Sequence, residues 1–193
     1  MNIKQARNAI YVGKFVLDEN HTRNHIRVEY SEYLESDLLK DSSGRVYIFS
    51  SDGVIKKIGG SASKGGIRST LSLYTSSMTG SPGKPRFILH LLIRDEILSG
   101  KIVEIHMINA RKIVSEVKGL FSVAEVEVAA FQEMEDMCRK DYISKEKCHP
   151  DWNFKENNQN YPSKYVVEHN QYHEKRIERV MIKEEQSKYN SSL

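Results

Sequence analysis

The chain has 193 residues, of which 39% are hydrophobic and 28% charged, with a formal net charge of +3 and a pI near 8.7. That length supports one main domain with extensions. No apolar run approaches the roughly 20 residues that cross a bilayer, and Met1-Asn2-Ile3-Lys4-Gln5 lacks the apolar core of a signal peptide, so no membrane role and a cytoplasmic location are expected. Two cysteines, Cys138 and Cys148, make no disulfide framework. The mild positive charge permits a polyanionic partner without requiring one.

Residues 1–40 read as an N-terminal extension. In it Ala9 to Leu17 is a strand candidate, and the stretch from Tyr30 to Lys40 is polar and acidic. The turn cluster Asp41-Ser42-Ser43-Gly44 opens a core assigned to 41–155. Two β-branched and aromatic runs follow, Val46-Tyr47-Ile48-Phe49 and Val54 to Gly59, and the Asp52-Gly53 between them marks a β-hairpin.

Tyr47 and Lys57 are polar tips on the two strands of that hairpin, and the turn decides whether they share a face. A two-residue Asp52-Gly53 loop sets Tyr47 opposite Ile58 and sends Lys57 to the other side. A three-residue loop, with Gly53 left-handed in a G1 bulge, sets Tyr47 opposite Lys57. Apolar patterning does not choose between them. The three-residue loop is expected because it places a phenol beside an amine.

Gly65 to Tyr74 reads as a short helix with Ile67, Leu71 and Tyr74 on one side and Arg68 at its beginning. A loop rich in Ser, Gly and Pro leads to a helix over Arg86 to Leu98, stopped by Gly100. Lys101 to Asn109 alternates Val103, Ile105 and Met107 with Glu104 and His106, so it is expected to join the hairpin as a third strand. Ser122 to Lys147 reads as the longest helical segment. Ser122-x-x-Glu125 fits a capping box at its start, which gives Glu125 a structural task. Pro150-Asp151-Trp152-Asn153 closes the core, with Trp152 a core anchor. A charged helix from Ser163 to Lys188 fills a C-terminal extension, 156–193. The expected fold is α+β, a three-stranded antiparallel sheet flanked by helices. Cys148-His149 with His169 and His173 matches no tight metal motif.

Strand, turn, strand, helix, helix, strand and a helix ending in Pro-x-Trp-Asn resembles the GIY-YIG nuclease superfamily. The chain is most similar there to the small type II restriction endonucleases with lysine in the second triplet. The motifs that carry the likeness are Val46-Tyr47-Ile48, Lys57-Ile58-Gly59, Arg68, a glutamate early in the long helix, and Asn153. Arg45 and Val46 stand in place of the opening Gly-Ile, and Gly60 stands where some relatives carry a histidine. Of the two competing glutamates, Glu127 is followed by Ala130, Phe131 and Met134 in the apolar pattern that follows the superfamily's metal-binding glutamate.

The resemblance implies phosphodiester hydrolysis. That chemistry needs a proton acceptor for water, a cation on the phosphate, and charge relief at the leaving oxygen. It assigns proton acceptance to Tyr47, with its pKa lowered by Lys57, phosphate binding to Arg68, and Mg²⁺ or Mn²⁺ ligation to Glu127. Lys56, Lys64, Lys84 and Arg86 flank this site and are candidate DNA contacts. On the terminal helix Lys175, Arg176, Arg179 and Lys183 are interleaved with Glu174, Glu178 and Glu184, which fits a salt-bridged surface as well as a DNA contact. The expected function is sequence-specific, metal-dependent cleavage of double-stranded DNA by a homodimer, since two-fold DNA is most simply matched by a two-fold protein. A structure-specific repair nuclease and a non-catalytic nucleic-acid-binding module are the alternatives.

Overall fold

Alternating apolar residues build the centre of the molecule. The computed structural model describes residues 1–20, 24–110, 113–128 and 130–190, apart from the side chains of 113, 127, 128, 184, 185 and 187–190. Strands β1 (Ile10–Leu17), β2 (Ile26–Tyr30), β3 (Arg45–Ser51), β4 (Val54–Ser61) and β5 (Val103–Asn109) form one sheet in the order β2-β1-β5-β3-β4. Every pairing is antiparallel. The fold is α+β as expected, but the sheet has five strands rather than three. The β1–β2 hairpin, within the stretch read as an extension, joins through β5.

One face of the sheet packs against α2 (Gly66–Thr75) and α3 (Lys84–Leu98), burying Phe15, Phe49, Ile67, Leu71 and Ile105. The other face, with Val46, Ile48, Ile55 and Ile58, takes Met134, Cys138 and Tyr142 of α4 (Phe131–Glu146). A short helix α1 (Ser36–Lys40) precedes β3. The long α5 (Ser163–Asn190) lies outside α3, with Tyr165 against Phe87, Ile88 and Leu91.

The segment read as one long helix from Ser122 divides instead. Strands β6 (Ile113–Lys118) and β7 (Val123–Val128) form a separate two-stranded ribbon, and α4 starts at Phe131. Ser122 therefore caps no helix; its carbonyl accepts the Gly119 amide, 2.8 Å, in the ribbon's turn. Glu125 lies on β7 opposite Glu116.

The hairpin also differs from expectation. Asp52 and Gly53 both have positive φ, 45° and 76°, the signature of a two-residue type I′ turn whose twist suits the flanking strands. Ser51 pairs with Val54 and Ser50 with Ile55, and the register then shifts so that Phe49 faces Lys57 and Tyr47 faces Gly59. One extra residue in β4 changes the parity. Tyr47 and Lys57 thus share a face as diagonal neighbours, through a bulge rather than a longer turn.

β4 is an edge strand whose outward groups need partners. The chain after α4 supplies them. Trp152 donates its amide to the Lys56 carbonyl at 2.8 Å, and the fully buried Asn153 side chain accepts from Ile58 N–H and donates to Ile58 C=O, both 3.0 Å. The Asn153 amide acts here as one more strand residue. It also holds residues 151–156 against the edge where Lys57 lies.

Candidate active site

A cavity of about 220 Å³ opens at this edge, and its walls include Tyr47, Lys57, Tyr74, Arg86, Trp152 and Glu156. Gly59 makes the Tyr47 position possible: a Cβ there would lie 2.4 Å from the Tyr47 hydroxyl. The Tyr47 hydroxyl lies 2.5 Å from that of Tyr74. Both rings are almost wholly buried.

The electrostatics of the pair run opposite to the expected lowering of the Tyr47 pKa. Burial pushes the Tyr47 phenol well above its ordinary value, with the Tyr74 hydroxyl and the Glu135 carboxylate acting the same way and Arg139 opposing. Burial instead lowers the Lys57 ammonium; Glu156 holds it up, Arg139 lowers it further, and Glu135 again raises it. An amine whose proton is held less tightly than usual suits a base better than a phenol whose proton is held more tightly.

The carboxylates beside Lys57 come from α4 and from the segment after it. Arg139 pairs with Glu135 and, at 2.9 Å, with Glu156, so one guanidinium orients two acids. Glu135 Oε2 stands over Gly60, in the place a Cβ there would occupy. A side chain at position 60 would displace that carboxylate. Glu127 belongs to β7, opposite Val114 in the ribbon, and its side chain lies outside the described residues. Glu135 does not stand out in the sequence when the helix is started at Ser122; with α4 starting at Phe131, it lies beside the Met134, Cys138, Tyr142 stripe that packs on the sheet.

The cations are distributed differently from expectation. Arg68 is exposed in the first turn of α2, with its guanidinium carbon 5.4 Å above the Tyr30 ring, and it does not line the cavity. Arg86, expected only as a DNA contact, is the cavity's guanidinium. Lys56 is paired with Asp151 at 2.7 Å, whereas Lys64 and Lys84 are exposed. Trp152 is a buried core residue.

Tyr74 is held in turn by His90, fully buried on α3, whose Nδ1–H donates to the Tyr74 carbonyl at 2.7 Å. Burial pushes His90 down to about 4, against the effect of that hydrogen bond. An unfolded imidazole titrates near 6.5, so on acidification the unfolded chain binds this proton before the native one. Stability due to His90 is complete above about pH 6.5 and declines as pH falls towards 4, by at most about 3 kcal/mol. Urea unfolding at pH 7 and 4.5 should show this loss, and His90→Leu should shrink it; an equal loss in the variant would contradict the assignment.

The fold and site define an α+β protein with a polar cavity at a sheet edge, lined by an amine, a phenol and a guanidinium beside two carboxylates. No protein-family model and no curated protein matches the chain. Among solved structures it is similar to restriction endonuclease HPY188I in complex with product DNA, at 16% identity and a TM-score of 0.48, covering 78% of this chain and 84% of that one. It is also similar to a mutant of bacteriophage T4 EndoII, at 13% identity and a TM-score of 0.49, covering 78% and 95%.

Proposed function

We propose that this protein is a metal-dependent endonuclease of the GIY-YIG kind, cutting double-stranded DNA as a homodimer in the manner of type II restriction enzymes. The observation that carries the reading is the convergence of Tyr47, Lys57 and Arg86 on one cavity, with Glu135 and Glu156 beside them. Those are the parts phosphodiester hydrolysis needs, and the motif order in the sequence supports the same conclusion.

The donor set suits a hard cation. Glu135 offers Oε2 while Arg139 holds Oε1, and Mg²⁺ takes one or two carboxylates with water and substrate oxygens completing its shell. Among the described residues no cluster of three or more acidic, histidine or cysteine side chains forms a closed metal cage. Bound at Glu135, Mg²⁺ or Mn²⁺ supplies charge relief on the phosphate and the leaving oxygen.

The chain's own groups do the rest. Neutral Lys57 accepts the proton of the attacking water as its oxygen bonds to phosphorus and the bond to the leaving oxygen breaks. The Tyr47 hydroxyl, fixed by Tyr74, orients that water. Arg86 binds a phosphate oxygen through its planar fork, and Arg68, outside the cavity and with no carboxylate partner among the described residues, binds a neighbouring phosphate of the strand.

Incubating the purified protein with plasmid in Mg²⁺ or Mn²⁺ should give discrete linear products; no cut in either ion sinks the reading. The base assignment has its own test in the pH profile. The rate should rise with pH as Lys57 loses its proton, with the limb centred below 10.5. Lys57→Met should lower the rate by roughly 10²–10⁴-fold and abolish the limb, whereas Tyr47→Phe should slow the reaction without moving it. A limb that survives Lys57→Met assigns proton acceptance elsewhere.

A further inference from the structure

A groove of about 800 Å³ runs between α5 and the connection from α2 to α3, and its walls include Met78, Gly80, Lys175, Arg176, Arg179 and Lys183. In sequence these four cations alternate with acids. At 3.6 residues per turn they fall within an arc of about 100°, whereas Glu174 and Glu178 project roughly 110–150° away from its centre. The helix therefore separates charges that the sequence mixes. Glu168, two turns earlier on the cationic side, is already paired with Arg94 at 3.4 Å. Among the described residues, none of the four cations has a carboxylate partner within 4 Å.

The groove is fixed rather than incidental. Tyr172 donates its hydroxyl to the carbonyls of Met78 and Gly80, at 3.1 and 3.0 Å, and His173 Nε2 lies 3.2 Å from the Pro82 carbonyl. The connection that forms one wall continues to Lys84 and to Arg86 in the cavity. A polyanion leaving the cavity past Arg86 is thereby directed along α5.

We propose that the cationic face of α5 is a track for the sugar-phosphate backbone of duplex DNA, beyond the phosphate being cut. This rests on the endonuclease reading and extends it. From Lys175 to Lys183 the face is about 12 Å long, the axial rise of about three or four phosphates on one strand of a duplex.

The test measures binding of a fluorescent duplex to the full chain in Ca²⁺ over a range of salt concentrations. The parent is compared with the triple variant Arg176→Gln, Arg179→Gln, Lys183→Gln. Each lost phosphate contact removes about 0.9 from the slope of log affinity against log salt. The variant should therefore bind more weakly, with a slope shallower by about 2–3. The pair Glu174→Gln, Glu178→Gln should leave the slope unchanged, and melting temperatures confirm folding. A parent that cuts DNA but shares its slope with the triple variant overturns the track alone. A parent that neither binds nor cuts a duplex overturns both readings.

Discussion

Glu135→Gln should lower the cleavage rate roughly 10²–10³-fold, a loss typical of removing one group that stabilises charge in the transition state. Glu127→Ala should leave the rate within about twofold. Glu135 is half-buried on the second turn of α4, with one oxygen held by Arg139 and the other over Gly60. Glutamine keeps the volume and the hydrogen bond to Arg139, so the change isolates charge from packing. Gly60→Ala gives an independent route to the same result, because its Cβ would lie 2.3 Å from Glu135 Oε2 and 2.9 Å from the Phe131 ring, forcing the carboxylate away. Rates at saturating DNA over a range of Mg²⁺ decide the matter: displaced or neutralised carboxylates should demand more metal. A silent Glu127→Ala beside a fully active Glu135→Gln would remove the α4 acid from the chemistry, and an inactive Glu127→Ala would return the role to the ribbon.

The hairpin, β5, α2, α3 and α5 were legible because each carries one clear period bounded by Gly, Pro or a polar turn. The ribbon was not. Ser122-x-x-Glu125 imitates a capping box, and the competing signal, two valine-rich runs on either side of Gly119, is a weaker hairpin cue than Asp-Gly. That misplacement put Glu127 on the helix and left Glu135 unremarked, because a helix placed several residues early carries a different set of glutamates on its inward face. The register of β3 on β4 failed for another reason: a bulge leaves no mark in an apolar pattern that is hydrophobic on both faces. Even so, Tyr47 and Lys57 were read onto the same side. Tyr74 and Arg86 were outside reach of the motif reading, since their place at the cavity depends on how α2 and α3 pack on the sheet. The direction of the Tyr47 shift depends on burial, which no spacing reveals.

Arg45 read in sequence only as a departure from an opening glycine, yet its replacement should have the largest effect on stability. It is the bulkiest of the fully buried side chains, and every partner it has is an oxygen. One terminal nitrogen donates to the Ser63 carbonyl at 3.2 Å and to the Thr70 hydroxyl at 3.4 Å. The other donates to the carbonyls of Asp41 and Ser43. The guanidinium thus ties the entry to β3, the exit from β4 and the second turn of α2, fixing the helix that carries Tyr74. Burial lowers its pKa and Asp41 opposes that shift, so the charge is retained through partners rather than through solvent. Arg45→Ala would leave several buried acceptors unpaired, each worth about 1–3 kcal/mol, together with a cavity the size of the lost side chain. Relaxation and water entry recover part of that, leaving an expected loss of about 3–5 kcal/mol, or a fall in Tm of roughly 6–20 °C for a chain of this size. Arg45→Lys should recover only a minor part, because one ammonium cannot reach acceptors spread around a planar fork. Arg45→Met separates the two contributions, since it restores most of the volume and none of the hydrogen bonds. Thermal and urea unfolding of the three variants would show the order Ala, Met, Lys, parent in rising stability. A Tm for Arg45→Met within about 1 °C of the parent would mean the carbonyls find water, and that the buried charge contributes nothing to holding α2 on the sheet.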